Sequence, residues 1–227
     1  MAARGGSVFT KNDYAYVELR DRILTGVLPA GSVLPQGRLA QEIGVSTTPL
    51  REAVRRLAAE GLILLEAHRD ARVAEVTAAE ARHLYEVRAS VDPLAAALAA
   101  SRRTDEDLEQ IRRAEAELRP LSGNATLEAL IAHREFHRSI YRASGNPLLV
   151  DVLERLWDKA DRYRMVALEA RRDSEEDSRR VAEEHRQIAA AVESGDPAAA
   201  EHAMREHIDK SLGRRAIAAL EGTDSHT

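Results

Sequence analysis

Residues 38–62 read RLAQEIGVSTTPLREAVRRLAAEGL, and the fold of the N-terminal part turns on this stretch. Gly37 to Ile43 predicts a brief helix that Gly44 closes. Ser46 is a good N-cap for a second helix over Thr47 to Glu60, where Leu50, Val54 and Leu57 mark one buried face. Gly61 ends it. Upstream, Tyr14 to Thr25 carries Tyr16, Leu19, Ile23 and Leu24 at helical spacing and stops at Gly26. GVLPAGSVLP follows as a turn and a short extended piece, because Pro35 disfavours helix at Leu34. Downstream, LILLEAHRDARVAEV supplies two β-rich runs, Leu62–Leu65 and Arg72–Val76, around a polar turn.

Three helices and then a hairpin is the order of a winged helix-turn-helix, with IGVS as the tight turn between the second and third helices. Thr47, Arg51 and Arg55 fall at successive i,i+4 spacing on the third helix, with Thr48 beside them. Short hydroxyls near the helix start suit phosphates or base edges, and guanidiniums suit guanine or backbone. The same pattern also fits solvated arginines paired with Glu52 or Glu60.

VTAAE, with Thr77 and Glu80 at capping-box spacing, opens a second part. The expected boundaries are 1–75 for the winged domain and 76–227 for the remainder. Six helices are predicted over about 78–101, 105–119, 125–144, 147–170, 174–194 and 197–220. SGNP at 144–147 and GDP at 195–197 each provide a stop, a cap and a proline at the first helical position. The expectation is a mainly α chain whose second part is an all-α six-helix antiparallel bundle. Leu84, Val87, Val91, Leu94 and Leu98 form a 3-4-3-4 stripe, read as a core or partner-helix stripe for which a packing seam suffices.

Composition removes several function classes. The 227 residues are 44% hydrophobic and 31% charged, the balance of a globular protein. No apolar run approaches a membrane span, and MAARGGSVFTKNDY has no apolar leader core, so a cytoplasmic protein without membrane attachment is expected. There is no cysteine, which excludes disulfides, thiolate catalysis and Cys-type zinc fingers. The net charge of −5 divides unevenly, +1 over residues 1–75 and −6 over the rest.

Histidine is the unusual chemical inventory. His133 and His137 lie i,i+4 on one helix, and His185 and His207 sit near the middles of two later ones. Facing helices of a bundle build metal sites this way, although four satisfied polar core residues fit the spacing too. His68, His83, His202 and His226 have no partner spacing and are read as surface residues. HREFH at 133–137 is not a zinc-protease helix, since Glu135 lies about 200° round from the first histidine. Nor is a di-iron bundle indicated, because only Glu80/His83 has the Glu-x-x-His spacing. Arg88 flanks the apolar stripe and needs an anion. Asp92 one turn on is the simple partner, and a bound carboxylate is the alternative.

LRDRILTGVLPAGSVL and LAQEIGVSTTPLREAVRRLAAEGLI resemble the winged-helix domain of the GntR family of bacterial repressors. YEVR at 85–88, FH at 136–137, SGNP at 144–147, EEH at 183–185 and MREH at 204–207 resemble the FCD effector domain of its FadR-like subfamily. The resemblance runs from about Tyr14 to Leu220. It implies a homodimeric, metabolite-responsive repressor that binds a near-palindromic double-stranded DNA operator and responds to a small carboxylate effector. It implies operator contacts from Arg38, Ser46, Thr47, Thr48, Arg51 and Arg55, with His68, Arg69 and Arg72 on the wing, and effector contacts from Arg88 and Asn146. It also implies a divalent metal beside the effector, held by one Asp and three His at positions that fall on His133, His137, His185 and His207.

Here the Asp position is His133. Four neutral imidazoles favour zinc, nickel or copper over magnesium or manganese, with zinc or nickel expected, and leave the ion's charge for an anionic effector. Two further departures are Thr47, where the family usually has Arg, and Asp70, where many members have Gly. Two other readings compete: a metalloenzyme built on the four histidines, for which the sequence offers no nearby carboxylate base, and a helical interaction scaffold with a degenerate DNA domain.

Overall fold

The computed structural model describes residues 9–65, 70–121, 126–170 and 175–224. The chain divides into two compact units, residues 1–75 and 76–227.

The first unit holds α1 (Lys11–Leu24), α2 (Gln36–Glu42), α3 (Thr47–Ala59), β1 (Ile63–Leu64) and β2 (Arg72–Val73). Thr10 caps α1 as a capping box with Asp13, so the helix starts at Lys11, three residues before the expected Tyr14. Gly44 adopts φ 73°, a left-handed turn that a side chain would strain, and this turn feeds α2 into α3. Leu19, Leu34, Leu50, Leu57 and Leu62 are buried at the centre of this unit. The antiparallel wing pairs Ile63 with Val73 and Leu64 with Arg72, and Val33 bridges to Arg72 on the other side. Its strands are two residues each, shorter than the runs read from sequence, and the turn residues 66–69 lie outside the described residues.

The second unit is all-helical among the described residues: α4 (Ala78–Arg102), α5 (Asp105–Ala116), α6 (Leu127–Ala143), α7 (Pro147–Ala170), α8 (Glu175–Ser194), α9 (Pro197–Asp209) and α10 (Leu212–Asp224). Seven helices stand where six were expected, because the last predicted one divides at Lys210 and Ser211. Ser211 is an N-cap type of residue, and its hydroxyl and carbonyl both accept from Arg214 N, so the chain restarts there.

α4 packs against α9, and Ala95, Ala96 and Ala99 of α4 are fully buried. Pro93 inside α4 has no N–H to give Ala89, and Arg205 of α9 fills the vacancy by donating to the Ala89 carbonyl at 2.9 Å. The apolar stripe of α4 is only partly core. The helix buries Leu84, Tyr85, Arg88 and Asp92, whereas Val87 and Leu94 are 45% and 48% exposed. The repeat is thus divided: Leu84 lies in the core and Val91 and Leu98 pack against it, while Val87 and Leu94 face away, and polar Arg88 and Asp92 share the inward turns.

Candidate DNA-binding surface and histidine centre

α3 buries Leu50, Ala53, Val54 and Leu57, and this turns Thr47, Thr48, Arg51 and Arg55 outward, all exposed. Ser46 occupies the N-cap position, but its side chain makes no capping bond. That leaves the hydroxyl and the first N–H groups of α3 available to an anion. The two arginines differ. Arg55 is paired with Glu52 at 2.7 Å, while Arg51 has no ion pair among the described residues. Arg38 on α2 is exposed and pairs with Glu42 at 2.8 Å. Arg72 on β2 is exposed and donates to the Gly31 carbonyl at 3.2 Å. His68 and Arg69 lie outside the described residues.

In the helical unit, α6, α8 and α9 bring His133, His137, His185 and His207 together. Their ligating nitrogens lie within 4.8 Å of one another, and all four side chains are buried. Ring centroids are 4.8 Å apart for His133–His137, 4.7 Å for His185–His207 and 5.0 Å for His137–His207. His83 and His202 are exposed, and His226 lies outside the described residues.

Burial is the largest cause that holds His133, His137 and His185 well below their ordinary pKa, reinforced by neighbouring imidazoles, by Arg164 at His133 and His185, and by Arg88 at His137. His207 is lowered by burial as well, against the pull of Glu184. The rings are therefore neutral at pH 7. Nδ1 of His207 lies 3.0 Å from Glu184 Oε2. An ionised carboxylate only accepts, so Nδ1 carries the proton and Nε2 is left with a free lone pair. Nδ1 of His133, both nitrogens of His137 and Nε2 of His185 are buried without a hydrogen-bond partner among the described residues. Clustered unpartnered imidazole nitrogens are costly in a bundle core, and a divalent ion satisfies them. The donor set fits such an ion.

The walls are aromatic and cationic. Trp157 of α7 lies 5.6 Å from His133 and 5.2 Å from His137. Arg88, Arg164 and Arg134 approach its ring at 5.0, 4.5 and 5.9 Å. Arg88 donates to Asp92 Oδ2 from Nε at 3.1 Å and Nη2 at 2.6 Å, and Tyr141 donates to the same oxygen at 3.1 Å. Burial opposes the Arg88 charge, but Asp92 outweighs it and raises its pKa above the usual guanidinium value. Nη1 of Arg88, Oδ1 of Asp92 and the Tyr85 hydroxyl remain buried without partners among the described residues. Arg164 pairs with Asp161 at 2.6 Å, and Arg134 with Asp161 at 2.6 Å and Asp158 at 2.5 Å. Asn146 serves a helix end: its Oδ1 accepts from Leu149 N at 3.3 Å, capping α7.

Trp157, Arg164 and Glu184 were not singled out by sequence reasoning. Leu149, Leu153, Trp157 and Arg164 continue one buried face of α7, so a lone Trp and an Arg on an apolar stripe were the available signals.

The gntR-family model for bacterial regulatory proteins matches residues 11–73, and the FCD domain model matches residues 83–210. The chain belongs to the GntR family. It is a transcriptional regulator, not an enzyme. This GntR chain is 33% identical over 187 residues to the "Probable D-xylose utilization operon transcriptional repressor" of Paenarthrobacter nicotinovorans, covering 82% of itself and 80% of that protein. It is 28% identical over 198 residues to the HTH-type transcriptional repressor GlaR of Escherichia coli (strain K12), covering 85% and 90%. The structure of E. coli McbR/YncC superposes with a TM-score of 0.76 at 24% identity over 96% of this chain and 100% of that one, a likeness of fold.

Proposed function

We propose that this GntR-family regulator is a cytoplasmic homodimeric repressor that releases a near-palindromic operator when a small carboxylate binds beside a divalent metal in its helical unit. The observation that carries the metal and effector reading is the buried four-histidine cluster with its unpartnered nitrogens.

α3 is suited to the major groove, with Arg51 reading guanine and Thr47 and Thr48 at base edges or phosphate. Ser46, Arg38, Arg55 and Arg72 supply backbone contacts, and His68 and Arg69 extend the wing. Arg51 is pre-exposed for this task, while Arg55 must first leave Glu52.

The exposed Val87 and Leu94, with half-buried Val91 and Leu98, give α4 an apolar row that a second copy would cover. A two-fold dimer then presents two recognition helices about one turn of DNA apart.

His133, His137, His185 and His207 would hold zinc or nickel, which supplies positive charge and an open position for an anion. Glu184 fixes the His207 ring through Nδ1. Arg88 Nη1 has its N–H groups to offer a carboxylate, and Arg164 adds a second positive charge near the imidazoles. The effector acts as a switch only if it binds the operator-free form more tightly.

The test is metal analysis of tag-free protein beside His185→Ala, followed by operator selection from random DNA. About one zinc or nickel per chain, absent from the variant, and a selected inverted repeat bound by a dimer are expected. Protein that takes up no metal even on reconstitution would remove the ion, and the absence of any selected site would remove the operator.

A further inference from the structure

From the histidine cluster a cavity of about 430 Å³ runs outward between α5 and α8. His133 and His185 stand at its inner end, each at most 3% exposed and each with a ring nitrogen that has no partner among the described residues. The two nitrogens are Nδ1 of His133 and Nε2 of His185, so polar demand is concentrated at one end.

The rest of the wall differs in character. Ala116, Leu118 and Leu121 come from the end of α5 and the chain after it, and Val181 and Ala182 from α8. These side chains bring methyl and methylene groups only. Arg112, Arg119 and Arg186 line it as well, but each has an acceptor already: Arg112 on Glu193, Arg119 on the Glu117 and Leu118 carbonyls, and Arg186 on Glu183 at 2.6 Å. Glu115 and Asp177 line it too, so the guanidiniums are offset by carboxylates and the passage presents no second anion site.

The volume lies within the range of small-molecule pockets. A two- or three-carbon acid seated on the histidines would leave most of it to water against apolar walls.

We infer that the effector is an amphipathic carboxylate, whose head meets the histidine centre and whose apolar body lies in the α5–α8 passage between Leu118, Leu121, Val181 and Ala182. This rests on the reading of the histidine cluster as the effector site and adds the class of molecule it takes. The physical consequence is a dependence of affinity on chain length. Each methylene drawn from water into the passage tightens binding about fourfold until the passage is filled.

The experiment is titration calorimetry on the full chain, as purified and after zinc loading, with straight-chain carboxylates from acetate to decanoate. Ala182→Phe is the companion variant. Ala182 is exposed on α8, so the added ring blocks the passage without entering the core. The expected result is affinity that climbs about fourfold per carbon in the wild type and a flattened series in Ala182→Phe. Equal affinity for short and long acids overturns the inference and leaves the carboxylate site standing. So does a steep series that Ala182→Phe leaves unchanged, since the tail then lies elsewhere. No heat from any acid, with or without zinc, overturns both this inference and the effector site beneath it.

Discussion

His137 of α6 and His207 of α9 stack with centroids 5.0 Å apart and planes 28° from parallel, an imidazole pair joining two helices in the core. The contact has a cost that depends on protonation.

Metal-free protein should lose stability as pH falls below about 6.5. Burial lowers the folded-state pKa of His133, His137, His185 and His207, so the unfolded chain takes up protons there that the folded chain refuses. Stability is then fully present above the unfolded pKa and declines below it, by up to ~1.4 kcal/mol per pH unit for each histidine. Urea midpoints at pH 7.5, 6.5 and 5.5 in the presence of chelator measure this. Midpoints that stay flat across that range would mean the rings are not buried as neutral groups.

Arg51→Ala should weaken operator binding about ten- to a hundredfold with an unchanged melting temperature. Arg55→Ala should cost less, because Glu52 already competes for that guanidinium. Fluorescence anisotropy on the selected operator ranks the two. The reverse order would shift the base-reading role from Arg51 to Arg55.

Asp92→Ala should destabilise the chain by about 3–5 kcal/mol, since it strands the Arg88 charge in the core and removes the acceptor of Tyr141. Arg88→Met should also destabilise the chain, since it leaves the buried Asp92 carboxylate without its cation, and should abolish the effector response. Denaturant melts paired with operator-release assays separate the two effects, and an Arg88→Met protein that still releases DNA would take Arg88 out of the effector site.

Leu94→Glu should convert the dimer to monomer while the helical content stays the same, because this side chain is already 48% exposed in the single chain. Light scattering on the eluted peak decides it. A dimer that survives both Leu94→Glu and Val87→Glu must use another face.

Local signals made much of this fold readable. The capping residues Thr77 and Thr104 and the turn glycines Gly44 and Gly195 punctuate the chain where helices begin and end, whereas Thr10, ahead of the first periodic residue of α1, was missed. Spacing paired His133 with His137 on one helix, but the set of four with His185 and His207 was implied by the resemblance to the FCD domain, since separate helices carry no register between them. The fate of the α4 stripe was not legible, because periodicity reports that residues share a face and not what covers it. Seven helices replaced six at Ser211 for a related reason: one serine in a helical run signals a restart only when its carbonyl and hydroxyl are both taken up by the next turn. Trp157 and Arg164 escaped notice because their meaning lies in tertiary neighbours, α6 and α4, that no window along α7 contains.

Trp157 is the chain's sole tryptophan, set against two imidazoles with three guanidiniums near its ring. Its emission therefore comes from one place, with no background from a second indole. Copper or nickel at the histidines would quench it over a few ångströms, whereas spectroscopically silent zinc would act only by restraining the rings. The unmodified protein thus carries its own optical gauge of what occupies its centre.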